Sequence, residues 1–261
     1  MRLKILVIGD IVGSPGREIL KQKLPGILKA KRINFCIANG ENVAGGSGIT
    51  PLLAEELFSY GINVITTGDH IYKRKEIIPY LQTSLNILRP ANYSPYAAGS
   101  GSGIYKTAGG VKIGVINLQG RVFMPPSECP FHTVDRLIKD ISLQSKIIIV
   151  DIHAEATSEK IALGWYLDGK ASLVFGTHTH IQTSDERVLP KGTAYITDVG
   201  MTGPYESVIG RNTENVLSAF ITQMPTHFDV AENDVKLGGA VVTIDSKTGK
   251  ALDIKRVLIK A

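Results

Sequence analysis

Apolar residues along the chain fall into short runs. Most runs close on a polar residue and are followed by the spacing of a helix. The run Lys4-Ile5-Leu6-Val7-Ile8 is nearly continuous, as in a parallel strand buried on both faces, and it ends at Gly9-Asp10. Ser14-Pro15, a cap residue before a proline suited to the first helical position, predicts a helix to about residue 28. Residues 34–38 predict a second strand, which stops at Asn39-Gly40-Glu41-Asn42. Past Gly45-Gly46-Ser47-Gly48, Thr50-Pro51 opens another helix, to about residue 60. A third strand is expected over 63–67, ending at Gly68-Asp69-His70, and helical signals return over 72–81.

The second half repeats the arrangement. Residues 104–106 and 112–118 read as a hairpin across Ala108-Gly109-Gly110. After a Pro-containing loop over 121–130, a helix over about 133–142 leads to a strand over 146–151, which ends at His153-Ala154-Glu155. A helix from Thr157 to about residue 167 precedes Leu173-Val174-Phe175, and Gly176 then turns the chain into Thr177-His178-Thr179-His180. Hairpins are expected at 187–189 with 193–196 and at 239–245 with 252–259, with a helix over 213–222 between them. Helices mostly alternate with strands, so a largely parallel α/β sheet with added antiparallel hairpins, in a single domain over 1–261, is the economical arrangement. Ligands in such sheets sit at the carboxyl ends of the strands.

The residues at those ends are Asp10, Glu41 with Asn42, Asp69 with His70, His153, and His178 with His180. Each is a metal-ligand or acid/base type. The chain has 6 histidines, and only His132 and His227 fall outside this set. In an extended segment the two-residue spacing of His178 and His180 puts both rings on one side, able to converge on one centre. Carboxylates combined with several imidazoles point to manganese, iron or zinc, since all-oxygen calcium or magnesium sites do not use histidines in this number. The donors are too many for one tetrahedral ion, so two metals sharing a carboxylate is the natural count.

Composition sharpens this only slightly. The chain is 43% hydrophobic and 20% charged over 261 residues, ordinary for a globular protein with one large core. No apolar run approaches the ~20 residues of a membrane span, and Met1-Arg2-Leu3-Lys4 leads straight into a strand without a secretory signal. Two cysteines, Cys36 and Cys129, make neither a disulfide framework nor a zinc ribbon, so a reducing cytoplasm is expected. A net charge of +5 suits an anionic small-molecule substrate and falls short of a stable nucleic-acid platform. Gly9, Gly13 and Gly16 have the wrong spacing for a dinucleotide loop, and no Gly-Lys-Ser/Thr of a phosphate-binding loop is present.

Gly9-Asp10-Ile11-Val12-Gly13, Asn39-Gly40-Glu41-Asn42, Gly68-Asp69-His70, the stretch from Asp151-Ile152-His153-Ala154-Glu155 to Lys160, Gly176-Thr177-His178-Thr179-His180, the stretch from Gly192 to Gly203, and the hairpin from Gly238 together resemble the YmdB-type bacterial metallophosphoesterases. These form a branch of the calcineurin-like dimetal superfamily, and the resemblance spans nearly the whole chain. It implies a four-layer α/β/β/α sandwich with mixed sheets. It also implies cyclic-nucleotide phosphodiesterase activity, with two divalent transition-metal ions, manganese or iron favoured and zinc admissible. Carried over by position, one metal takes Asp10, Asn42 and His180, a second takes Asp69, His153 and His178, Glu41 bridges them, and His70 stands beside the leaving group. The superfamily's Gly-Asn-His element has asparagine where this chain has Asp69, an added negative charge that implies tighter metal holding and a less acidic bound water.

Two metals about 3.5–4 Å apart can share a hydroxide, clamp phosphoryl oxygens and align an in-line attack. The expelled sugar alkoxide then needs a proton, for which His70 is the candidate donor. Asp198 and Glu155 are expected at most to hydrogen-bond ligating imidazoles, and the loop Gly45-Gly46-Ser47-Gly48 to approach a phosphate or to be mobile. The competing readings are a phosphomonoesterase of the same superfamily and a regulatory protein that keeps a metal site with weak activity. Base, cyclic linkage (2′,3′ or 3′,5′) and oligomeric state are open at this point.

Overall fold

The structure is a computed structural model that describes residues 1–261. In chain order its elements are β1 (Arg2–Ile8), β2 (Asp10–Ile11), α1 (Gly13–Ala30), β3 (Phe35–Asn39), α2 (Pro51–Ser59), β4 (Val64–Thr66), α3 (Ile77–Leu81), β5 (Ile87–Leu88), β6 (Ser102–Lys106) and β7 (Lys112–Gln119). There follow α4 (Pro130–Ser142), β8 (Ile147–His153), α5 (Thr157–Tyr166), β9 (Leu173–Thr177), β10 (Arg187–Val188), β11 (Ala194–Ile196), β12 (Met201–Pro204), α6 (Thr213–Thr222), β13 (Val235–Asp245) and β14 (Ala251–Lys260).

The strands form two mixed sheets where the alternation of elements suggested one. The first has 8 strands in the order β2-β12-β13-β1-β3-β4-β5, with β14 also paired to β13; the second has 6, in the order β10-β11-β9-β8-β7-β6. Parallel pairing joins β1 to β3, β4 and β5 in turn, while β13 runs antiparallel to β1, β12 and β14. In the second sheet β7, β8, β9 and β11 are parallel, and β6 and β10 close the edges antiparallel.

Side-chain alternation explains why the strands read as continuous apolar runs. Leu3, Ile5 and Val7 of β1 enter a core shared with Ile147 and Ile149 of β8 and Leu173 and Phe175 of β9, so this core lies between the sheets. Leu6 and Ile8 face the other way, into a core with α1 and α2, while Ile148, Val150 and Ile152 join Leu163 of α5 in a third. Each such side chain taken wholly out of water contributes about 1.5–3 kcal/mol.

Local deviations have identifiable causes. Thr50 caps α2 as expected, its hydroxyl accepting from Leu53 N at 3.3 Å. Ser14 does not cap α1, whose N-cap is Val12; Gly13, at φ 58°, donates instead to the Asn42 carbonyl at 3.0 Å and opens the helix two residues early. The helix expected over 72–81 is only Ile77–Leu81, because His70 N is pinned to Glu41 Oε2 (3.0 Å) and the chain advances from there in successive short turns. The strands β2, β5 and β12 are additions to the expected set. No helix is long and apolar enough to cross a membrane.

Candidate metal centre

The rows of the inter-sheet core change character at the carboxyl ends of their strands. Two residues after Ile37, Val64, Ile149 and Phe175, the same faces carry Asn39, Thr66, Asp151 and Thr177, and β8 adds His153. All are buried and bonded to one another. Thr177 Oγ1 donates to Asp151 Oδ1 at 2.8 Å, and Thr66 Oγ1 donates to the other oxygen of the same carboxylate. With its hydrogen committed, Thr177 Oγ1 is left to accept from His153 Nδ1 at 3.0 Å, and Nε2 is the nitrogen that faces out of the core. Burial pushes the Asp151 carboxyl up to about 7.

Against His153 Nε2 lie Glu41 Oε1 (3.1 Å), Asp69 Oδ1 (3.3 Å) and His178 Nδ1 (2.9 Å). One ligand-type atom from each of Glu41, Asp69, His153 and His178 falls within 4.8 Å of the others, a spacing that could hold a metal ion. A Cβ at Gly68 would overlap the His153 ring, so this approach needs glycine there.

Beside it is a second group. Asp10 Oδ2 accepts from His178 N at 3.1 Å, and its other oxygen is 3.6 Å from His180 Nε2. Asn42 Nδ2 lies 3.4 Å from both His180 Nε2 and Glu41 Oε1, which links the two groups, while Asn42 Oδ1 faces His70 Nδ1 at 2.8 Å. To ligate an ion beside His180 through oxygen, the Asn42 amide would have to turn over and release His70. The His70 Nε2 is 3.6 Å from Asp69 Oδ2, at the rim of a cleft of about 270 Å³ that Asn42, His178, His180 and Arg211 also line. A larger groove of about 660 Å³, between Phe35, Phe58 and Tyr105, lies at the opposite strand ends and brings one carboxylate, Glu55, and no histidine.

The histidine pair corrects the expectation of an extended segment. β9 ends at Thr177, and His178 (φ 96°) and His180 (φ 64°) both take left-handed backbone, so their rings go to different groups rather than to one centre.

Donor chemistry fits metal ions. Asp10 Oδ1 and Asp69 Oδ1 are buried without any hydrogen-bond partner. Each of the three histidines turns one nitrogen to the cluster and the other to an acceptor: His153 to Thr177, His178 to Glu155 Oε2 at 3.3 Å, and His180 to the Ile209 carbonyl at 2.8 Å. Burial alone would raise the Asp69 and Asp10 carboxyls, yet nearby imidazoles, His153 for the first and His180 for the second, hold both below the usual carboxylate range. Burial would likewise lower His153, but Glu41 and Asp69 lift it well above 6.5; burial and then the His153 charge push His178 down to about 4. A field that favours a proton on His153 favours a divalent cation between the same groups.

Several supporting residues had not been assigned. Asp151 is one; its signal was a lone carboxylate inside the run Ile147–His153. Asp198, expected near an imidazole, instead pairs with Lys160 at 2.8 Å. The Gly-rich loop is held, not free. Arg17 donates to the Val43 carbonyl (2.7 Å), Arg74 to that of Ala44 (3.0 Å), and Arg211 to those of Gly45 (3.3 Å) and Gly46.

A family model of YmdB-like proteins matches residues 6–257. Over 257 residues the chain is 48% identical to a Bacillus subtilis protein named 2′,3′-cyclic-nucleotide 2′-phosphodiesterase, covering 98% of this chain and 97% of that one. A crystal structure of a novel phosphatase from Mycoplasma pneumoniae matches with a TM-score of 0.93 at 34% identity, over 100% of this chain and 94% of the other. The crystal structure of a hypothetical protein from Thermus thermophilus gives 0.92 at 37% identity, over 99% of both chains.

Proposed function

The chain belongs to the YmdB-like family, and on that premise we propose that it is a dimetal-dependent phosphoric diester hydrolase acting on 2′,3′-cyclic nucleotides. The observation that carries the reading is the convergence of Glu41, Asp69, His153 and His178 within 4.8 Å, beside two buried carboxylate oxygens that have no partner. Three core clusters, one between the sheets and one under each set of helices, support a four-layer α/β/β/α sandwich in one domain over 1–261. A cytoplasmic location is part of the same reading.

In this reading Asp69, His153 and His178 hold one ion, Asp10 and His180 hold the other with Asn42 once its amide has turned, and Glu41 is shared. When bound, the two ions, manganese or iron favoured and zinc admissible, would supply the Lewis acidity that activates water and neutralises phosphoryl charge. The chain's own groups do the rest. Glu41, anchored through His70 N and 3.1 Å from His153, keeps the two halves in fixed relation. With Asn42 turned away from Nδ1, the proton for the leaving sugar oxygen is carried on His70 Nε2, the nitrogen at the rim of the cleft, 3.6 Å from Asp69 Oδ2. The cleft admits a phosphoester against this rim, and Arg211 adds a permanent positive charge for an anionic substrate.

Metal-stripped protein reloaded with manganese and offered 2′,3′-cyclic AMP, 3′,5′-cyclic AMP and a nucleoside monophosphate tests the proposal. Metal-dependent opening of the 2′,3′-cyclic ester is expected. Turnover of the monophosphate alone would favour a phosphomonoesterase, and no turnover with metal bound would favour a regulatory protein.

A further inference from the structure

Resting on the metal-centre reading above, we propose that the buried Lys160–Asp198 ion pair is a positioning device for the histidine turn, acting through Thr179. Both side chains are fully buried, with Lys160 Nζ 2.8 Å from Asp198 Oδ2. That same oxygen accepts from Thr179 N at 3.2 Å and from Thr179 Oγ1 at 2.6 Å, while Oδ1 accepts from Gly200 N at 2.7 Å. Lys160 Nζ also reaches Thr179 Oγ1 at 3.4 Å. Thr179 is the residue between His178 and His180, and both histidines are in left-handed backbone. Non-glycine residues persist there only where their surroundings over-determine the conformation, and the carboxylate that grips the residue between them does so from both its amide and its hydroxyl.

The pair is not explained by stability. Well-packed apolar side chains of similar volume commonly serve a fold as well as, or better than, a buried ion pair. The carboxylate supplies acceptors for Thr179 N and Oγ1 at the turn and for Gly200 N beyond it, and Lys160 is the positive charge paired with it in the core. Lys160 occupies the sheet-facing stripe of α5, in register with Leu163, Gly164 and Leu167 where an apolar residue belongs, and its stem packs over Gly176 at the end of β9. One turn thereby sets His178 toward Asp69 and His180 toward Asp10.

The double variant Lys160→Met with Asp198→Asn removes both charges at nearly constant volume. Manganese affinity of the metal-stripped protein, by calorimetric titration, is expected to fall about 10–100-fold, the usual effect of losing the groups that orient ligands. Its unfolding temperature without metal should stay close to wild type. Wild-type affinity in the folded double variant overturns the proposal. If that variant does not fold, Thr179→Val, which leaves the ion pair whole, decides alone: weaker manganese binding that Thr179→Ser restores supports the tether, and unchanged binding refutes it. A wild-type chain that binds no manganese would overturn both this inference and the metal-centre reading.

Discussion

The two halves of the site differ in how far the protein has already built them. Glu41, Asp69, His153 and His178 are tightly gathered, with His153 backed through Thr177 by Asp151 at the floor of the inter-sheet core. Around Asp10 and His180 the remaining donor is misdirected, because Asn42 presents its amide nitrogen to His180 while its oxygen serves His70. The difference follows from where the donors are rooted. His153 belongs to a central strand with neighbours on both sides, and its ring is fixed by the same alternation that packs Ile147 and Ile149. His180 and Asn42 belong to turns, as do Glu41, Asp69 and His178, so it is His153 that gives the first group an anchor in a central strand. A preorganised half is expected to hold its ion tightly, and an adjustable half to close around ion and substrate together.

The largest test of that contrast is His153→Ala. Losing a ligand from the tight half should cut kcat by about three orders of magnitude or more, since the metal supplies several kcal/mol of transition-state stabilisation. His180→Ala should cost less and recover in part with excess manganese; equal, irrecoverable losses would erase the distinction. Next in size, His70→Ala should lower kcat about 10²–10³-fold on a cyclic nucleotide but far less on a nitrophenyl ester, whose leaving group needs no proton. Uniform losses on both would remove His70 as proton donor.

Asp69→Asn addresses the extra carboxylate of the tight half. Manganese affinity there should fall about tenfold, a change of ~1.4 kcal/mol, and the acid limb of the pH–rate profile should move to lower pH. A much larger loss of phosphodiester cleavage would show that the aspartate is integral to the chemistry. The smallest effect concerns the floor of the site. Asp151 is raised by burial to about 7, above its unfolded value, so its contribution to stability is complete below about pH 4 and is lost as pH rises through 7. In metal-stripped protein Asp151→Asn should flatten that decline, at most about 1.4 kcal/mol per pH unit, as read from denaturant unfolding across the window.

Much of this arrangement was legible because two signals coincided at each strand end. The near-continuous apolar runs marked strands covered on both faces, and a donor residue followed each one, so Asp10, Glu41, Asp69, His153 and His178 could be read as neighbours before any coordinate. Thr50-Pro51 located a helix start because the capping hydroxyl and the proline agree. Ser14-Pro15 made the same local appeal and failed, since the Asn42 carbonyl, distant in sequence, takes the amide of the left-handed Gly13 and decides where α1 begins. The division of His178 and His180 between two groups depends on backbone angles that no spacing rule contains. Lys160 could have been noticed as a charge in the apolar stripe of α5, but its partner Asp198 is 38 positions away and only the fold joins them. The second sheet came only with the family resemblance, for a related reason: alternation of helix and strand tells which faces are covered, not which strands pair.

The central claim is that these side chains cradle two ions of unequal hold. Titrating metal-stripped protein with manganese, with the bound ions counted by equilibrium dialysis, tests it most directly. Two ions per chain are predicted, the tighter lost in His153→Ala and the weaker lost in His180→Ala. A single ion or none at saturating manganese, or two ions that survive both substitutions, would contradict it.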